Sequence, residues 1–185
     1  MIRLFVAIDF PEEIKEMLGR LCYGLPGARW VSENQLHLTL RLIGEVDGGM
    51  FRDVRDSLAD IKADPLTLVL QGTGFFPPRK KPRVLWVGLE KNELLIRLRN
   101  SVERKLTTLG LKPESRKFSP HITLARLKNT PDSKVSQFMS SNNLFNTPPF
   151  PVREFHLYSS FLTPKGAIHQ REASYPLTTT DKRTE

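Results

Sequence analysis

Four histidines occur among the 185 residues, and two of them open the same tetrapeptide: His37-Leu38-Thr39-Leu40 and His121-Ile122-Thr123-Leu124. Along a β-strand the side chains alternate between faces, so a His and a Thr two positions apart share a face. The Leu or Ile between and after them turn to the other face, where a core would take them. Each copy therefore predicts a strand that buries one side and presents an imidazole and a hydroxyl on the other. An unperturbed imidazole has a pKa of ~6.5, so one neutral and one charged ring can coexist near neutrality. Brought together, two imidazoles and two hydroxyls make an acid–base site with hydrogen-bond donors for an anionic oxygen. Core packing accounts for the leucines but gives no reason for a His and a Thr paired on the opposite face.

The elements that must position these residues repeat. Residues 2–9 read as a buried strand. Pro11 opens a helix, with Glu12 and Glu13 in its first turn and Ile14, Met17, Leu18, Leu21 and Cys22 at helical spacing. Residues 29–31 are a short strand, and residues 36–43 carry the first motif. Asp47 reads as the N-cap of a second helix. Residues 66–72 alternate as a strand and run into a Gly/Pro-rich loop, residues 72–82. The second half repeats the order. Arg83-Val84-Leu85-Trp86-Val87-Gly88-Leu89 resembles Arg3-Leu4-Phe5-Val6-Ala7-Ile8. Asn92 caps a helix to about residue 109, and Gly110 stops it. Residues 121–127 carry the second motif, and Asp132 is the expected cap of the last helix. Residues 152–162 and 168–177 are closing strands, paired across Thr163-Pro164-Lys165-Gly166. The tail from Thr178 is polar and expected to fray. The pattern predicts one catalytic domain over residues 1–177, made of two similar lobes (about 1–82 and 83–177) that can exchange strands, followed by a polar tail, 178–185.

Composition narrows the class. Hydrophobic residues make up 39% and charged residues 26%, as in a water-soluble globular protein. No apolar run approaches the ~20 residues of a membrane helix. The N-terminal run meets an acid and a proline too soon for a signal-peptide core. The single cysteine, Cys22, has no internal partner and reads as a packing residue. Together these features point to the cytoplasm. The net charge of +8, from 28 Lys and Arg against 20 Asp and Glu, favours a polyanionic partner such as nucleic acid or simply gives a solvated basic surface.

Other residues weigh less. Arg126 stands five positions after His121, on the opposite face by strict alternation. It reaches the site only if the strand ends or bulges. Phe75 and Phe76 could offer a base-stacking surface or could be buried at a strand end. Trp30 and Trp86 read as core. His156 and His169 lie in unrelated contexts without metal-ligand spacing, and surface or strand-edge positions are expected for both. The run Arg79-Lys80-Lys81-Pro82-Arg83 reads as a solvated loop.

The two motifs, with Arg29-Trp30-Val31, Gly44-Glu45-Val46, Phe76-Pro77, Pro120 to Arg126, Leu157-Tyr158-Ser159-Ser160 and Pro164-Lys165-Gly166, resemble the two-histidine phosphoesterase superfamily. They are most similar to the prokaryotic RNA 2′,3′-cyclic phosphodiesterases, historically called 2′-5′ RNA ligases. The resemblance spans nearly the whole chain. It implies an α+β fold: a bilobal, pseudo-twofold duplication with two antiparallel sheets lining a central cleft and helices packed outside. It implies hydrolysis of a ribose 2′,3′-cyclic phosphate to a 2′-phosphomonoester, with His37 as proton donor and His121 as proton acceptor. Thr39, Thr123 and Arg126 would bind phosphate. It implies no metal, no cofactor and no membrane. The expected partner of a monomeric enzyme is RNA with a cyclic phosphate end, tRNA fragments included. Ligation at the same site, a phosphodiesterase for small cyclic nucleotides and a non-catalytic RNA-binding module are the alternatives. Two positions depart from the family: Leu42-Ile43 replaces the usual Phe-Leu, and His169 stands where many members carry Tyr.

Overall fold

Strand β1, Ile2–Ile8, is the apolar run at the N-terminus, and residues 4–8 are all buried. A strand shielded on both sides must lie inside a sheet. It does: β1 pairs antiparallel with both β3 (Leu38–Val46) and β9 (Glu154–Thr163), and β10 (Gly166–Pro176) completes the sheet in the order β10-β9-β1-β3. A second four-stranded antiparallel sheet has the order β2-β7-β6-β5. Its strands are β2 (Ala28–Trp30), β5 (Leu70–Phe76), β6 (Val84–Leu89) and β7 (Ile122–Leu127). Among the described residues four α-helices complete the α+β architecture: α1 (Glu12–Gly19), α2 (Gly48–Leu58), α3 (Glu93–Thr108) and α4 (Asp132–Asn142). The computed structural model describes residues 1–180.

The repeat is visible in the topology. Reading β3-β1-β9 in one sheet against β7-β6-β5 in the other gives a motif strand, the first strand of its own half and a strand donated by the opposite half. Two short strands, β4 (Leu66–Leu68) and β8 (Phe150–Val152), precede the donated strands and pair with each other. Leu66, Leu68, Phe150 and Val152 of that pair join the same buried cluster as Leu4, Val6, Leu85, Val87, Ile122 and Leu124. Each such side chain fully buried contributes ~1.5–3 kcal/mol. The motif strands β3 and β7 also approach within 8 Å of each other between the sheets.

Two helix starts follow the sequence expectation. The Asp47 side chain accepts from Met50 N (2.8 Å) and that of Asn92 from Leu95 N (3.0 Å). At α4 the cap position is Pro131, and Asp132 instead lies inside the first turn, where its charge meets the positive end of the helix. Gly110 ends α3 with φ +88, as a left-handed cap requires. The expected strand over residues 66–72 is two strands, and the expected loop from residue 72 begins only after Phe76. Gly72 and Gly74 belong to β5. Gly74 pairs with Trp86, and Gly72 is the extra residue where the register shifts between Gln71 and Thr73, so pairing with β6 and not composition makes this stretch a strand. Likewise the strand expected over residues 152–162 divides into β8 and β9. In the expected tail, Thr180 is held by Asp64 through its backbone N–H (2.8 Å) and hydroxyl (3.0 Å), whereas residues 181–185 lie outside the described residues. Among the described residues no helix is long and apolar enough to cross a membrane.

Two features set the inner surfaces. Arg41 is buried and bonds Glu103 Oε2 (2.6 Å), the carbonyl of Lys112 (2.5 Å) and the carbonyl of Leu42. Glu103 in turn accepts from Glu114 N (2.8 Å), so the segment after α3 that leads to the second motif is tied to the first motif strand. The Trp86 ring lies flat against β5. A Cβ at Gly74 would stand 2.1 Å from its Cζ2, and one at Gly88 would stand 3.3 Å from its Cζ3. Glycine is therefore a steric requirement at Gly74. A Gly74→Ala variant is expected to lose ~1–3 kcal/mol of stability by overpacking. Urea unfolding followed by tryptophan fluorescence measures it, and an unchanged midpoint would show that Trp86 is free to move aside.

Candidate active site

The two motif strands share a local construction. From His37 to Leu42 and from His121 to Arg126 the order of exposure is identical: half-buried, buried, half-buried, buried, buried, exposed. Two consecutive buried positions mark a bulge. In β3 the pairing steps from Ala7↔Thr39 to Val6↔Arg41, and in β7 from Trp86↔Thr123 to Leu85↔Ala125. The extra residue is Leu40 in one strand and Leu124 in the other. Past the bulge, Arg126 pairs with Val84, two residues from Trp86, and so returns to the face of Thr123. The bulge that the sequence required for Arg126 is present. Its counterpart in the first motif is Leu42, exposed on the face of Thr39.

Both imidazoles are oriented by the same bond. His37 Nδ1–H donates to the Gln35 carbonyl (2.7 Å) and His121 Nδ1–H to the Ser119 carbonyl (2.7 Å). Each ring therefore offers Nε2 to the site. At His37, Nε2 lies 3.1 Å from Thr39 Oγ1. The hydroxyl donates to the neutral ring and accepts from the charged one. The two histidines feel each other: the charge of His121 works against that of His37.

Their surroundings differ. His37 lies in a nest of rings: Phe5 at 5.0 Å, His169 at 5.3 Å and Tyr158 at 6.5 Å between centroids. Phe5 stacks on Tyr158 (5.2 Å). Burial lowers the His37 pKa, opposed by the bond to Gln35 and the carboxylate of Asp9. Asp9 is itself held by Lys15 (2.9 Å) and Arg171 (2.7 Å). His121 meets Phe76 edge-on (4.9 Å) and Trp86 (6.5 Å), and those two rings touch each other (5.3 Å). Phe76 thus stands at the site as a strand residue, while Phe75 packs against the core.

Several sequence expectations change here. Trp86 is not core: its ring contacts His121. His156 is buried, with Nδ1 2.9 Å from Ser174 Oγ, because β9 is an inner strand. His169 is on the edge strand β10 but half-buried, and its ring packs on Phe5 (4.8 Å) and His37. Burial pushes its pKa down to about 4, with the neighbouring His37 acting in the same direction. Phe5, Tyr158 and Trp86 were not assigned to the site from sequence. The repeated strands Leu4-Phe5-Val6 and Leu85-Trp86-Val87 carried the signal for two of them, since each places an aromatic ring beside its own motif strand. Cys22 bonds the Leu18 carbonyl (3.4 Å), as a packing residue does, and burial raises its thiol to about 11. Among the described residues no group of three or more His, Cys, Asp or Glu side chains converges.

Comparison with known proteins follows the same division. A family model described as LigT like Phosphoesterase matches twice, over residues 8–86 and 87–169. The chain is 33% identical over 172 residues to a protein named RNA 2′,3′-cyclic phosphodiesterase from Archaeoglobus fulgidus, covering 91% of this chain and 97% of that one. It is 35% identical over 177 residues to a protein of the same name from Thermotoga maritima, covering 91% and 92%. Among solved structures, E. coli LigT complexed with 3′-AMP superposes with a TM-score of 0.79 at 27% identity, over 96% of this chain and 99% of that one. The protein TT0787 of Thermus thermophilus superposes with a TM-score of 0.78 at 30% identity, over 95% and 97%.

The depressed pKa of His169 has a stability consequence. The group moves from 6.5 to about 4 on folding, so between those values the unfolded chain binds more protons than the folded one. Its contribution is complete above the upper value and is lost as the pH falls toward the lower. Melting temperature is expected to drop across this window, and His169→Phe is expected to flatten the drop. Identical pH dependence in the two proteins would place His169 in water.

Proposed function

This chain belongs to the LigT-like phosphoesterase family, and on that footing we propose that it hydrolyses the 2′,3′-cyclic phosphate at the end of an RNA to a 2′-phosphomonoester. The observation that carries the reading is the pair of bulged His-x-Thr strands, each aiming Nε2 of its histidine and a threonine hydroxyl at one site. Opening the ring needs water to attack phosphorus opposite the departing 3′-oxygen. His121 Nε2 accepts the proton of that water. His37 Nε2–H protonates the 3′-oxygen as its bond to phosphorus breaks. The Thr39 and Thr123 hydroxyls donate to the non-bridging oxygens, and Arg126 offsets their charge. Phe76 offers a face to the base. Both proton transfers are supplied by side chains, so the proposed reaction needs no metal and no cofactor. Residues 1–177 act as one catalytic unit, because each sheet takes strands from both halves. The enzyme works as a cytoplasmic monomer on RNA ends, tRNA fragments among them.

The donor role asks something of His37. Burial lowers its pKa in the free protein, which favours the neutral ring. A bound phosphate anion acts in the opposite direction and restores the proton where it is used. The pKa of His37, followed by NMR, is therefore expected to rise on binding a 2′-phosphorylated nucleotide. A His37 pKa that does not rise in the complex would count against its role as donor.

Replacing His37 or His121 by Ala is expected to lower kcat by ~10²–10⁴-fold on RNA ending in a 2′,3′-cyclic phosphate. Activity is expected to persist in EDTA, and the product to carry its phosphate on the 2′-oxygen. Full activity of either variant would overturn the mechanism. Accumulation of 2′-5′-joined RNA from cyclic-phosphate and 5′-hydroxyl ends would point to ligation instead.

A further inference from the structure

The edge of the second sheet holds two arginines against each other. β2 pairs with β7 so that Arg29 lies directly opposite Arg126. Residues opposite one another on antiparallel strands project to the same face with Cβ atoms ~4.5–5.5 Å apart, where like charges repel. Both side chains are exposed, and neither has an ion-pair or hydrogen-bond partner among the described residues. This face is the one that carries Thr123, because the bulge returns Arg126 to it. The neighbouring pair, Trp30 and Ala125, points the other way, and Trp30 meets Phe138 of α4.

An open cavity of about 610 Å³ adjoins the two arginines. Its lining includes Arg29, Arg126, Lys128 and Asn129 and contains no carboxylate. Its walls are tightly joined. Thr130 Oγ1 donates to the Pro26 carbonyl (2.7 Å) and Lys128 N to the Gly27 carbonyl (3.0 Å). A Cβ at Gly27 would stand 2.1 Å from the Lys128 carbonyl oxygen. Unpartnered guanidinium groups held side by side on a braced edge favour anions beside them. Guanidinium forks match phosphate oxygens two at a time.

We propose that Arg29, set beside Arg126 at the cyclic phosphate, binds the phosphodiester that precedes the terminal nucleotide, with Lys128 beyond it. The inference rests on the RNA-end reading above. It adds that the preferred substrate is an oligoribonucleotide and not a cyclic mononucleotide. The cavity lining presents no aromatic ring, so this subsite reads the backbone and is indifferent to the base.

Arg29 lies outside the reacting centre, and its substitution separates the two substrates. With an RNA ending in a 2′,3′-cyclic phosphate, Arg29→Gln is expected to raise KM by about tenfold and to reduce the salt slope of binding by ~0.7, the loss of one phosphate contact to a single strand. With a 2′,3′-cyclic mononucleotide, KM and kcat are expected to stay as in the wild type. Equal effects on both substrates, or none on either, would overturn the subsite. Removing one of two repelling charges should not lower the melting temperature, whereas a lower one with equal losses would mark Arg29 as structural. Fluorescence anisotropy with 2′-phosphate-ended RNA supplies an arm independent of turnover. If the wild type cleaves neither substrate but binds this RNA more tightly than Arg29→Gln does, the hydrolytic reading fails and the subsite stands. If it cleaves both and Arg29→Gln cleaves them equally well, only the subsite falls.

Discussion

One extra residue in each motif strand governs where the polar groups of the site point. Without the bulge at Leu124, alternation would send Arg126 to the core side of β7, where an unpaired guanidinium costs several kcal/mol. With it, Leu124 and Ala125 are both buried and Arg126 emerges beside Thr123. The same bulge at Leu40 buries Leu40 and Arg41 and brings Leu42 out beside Thr39. The position that Ala125 fills in one strand is filled in the other by an arginine, and that arginine needs Glu103 and two carbonyls to be accommodated. The ties of Arg41 to the segment after α3 follow from this single difference between the two copies.

Duplication supplies the symmetry of the site, and the donated strands break it. Each motif histidine is held by the carbonyl two residues before it, so both rings start alike. The sheet of His37 takes β9 and β10, which bring Tyr158 and His169. The sheet of His121 takes β5, which brings Phe76 and the glycine that lets the Trp86 ring lie flat. Burial in the first nest disfavours the charged imidazole, and Asp9 partly opposes it. Arg126 stands on one side of the cleft only, with Leu42 at the equivalent place on the other. Near-identical tetrapeptides can thus take different proton-transfer roles.

How much of this was legible depends on how local each cause is. The caps Asp47 and Asn92 bond backbone groups three residues away, so their sequence context is enough. Asp132 shows the limit, since a proline before it shifts the helix start by one position. The strand through Gly72 and Gly74 was hidden because two glycines interrupt its strand-forming residues; pairing with β6 decides it. His156 and His169 looked alike in sequence. One falls on an inner strand and is buried, and the other falls on an edge strand beside His37. Strand order within the sheet makes the difference, and it is set by partners over a hundred residues away in the chain.

By itself the sequence determined the chemistry on offer: two imidazoles, two hydroxyls and a nearby arginine, in strands whose alternation puts His and Thr on one face. That much follows from the two-residue period of the strand, which is a property of the local backbone. The tertiary structure alone decided which groups meet across that face. It chose the bulges that bring Arg126 out beside Thr123, the rings that enclose His37, and the strand edge that sets Arg29 against Arg126. Those outcomes depend on register between strands distant in the chain, and register is settled only when the sheets pack.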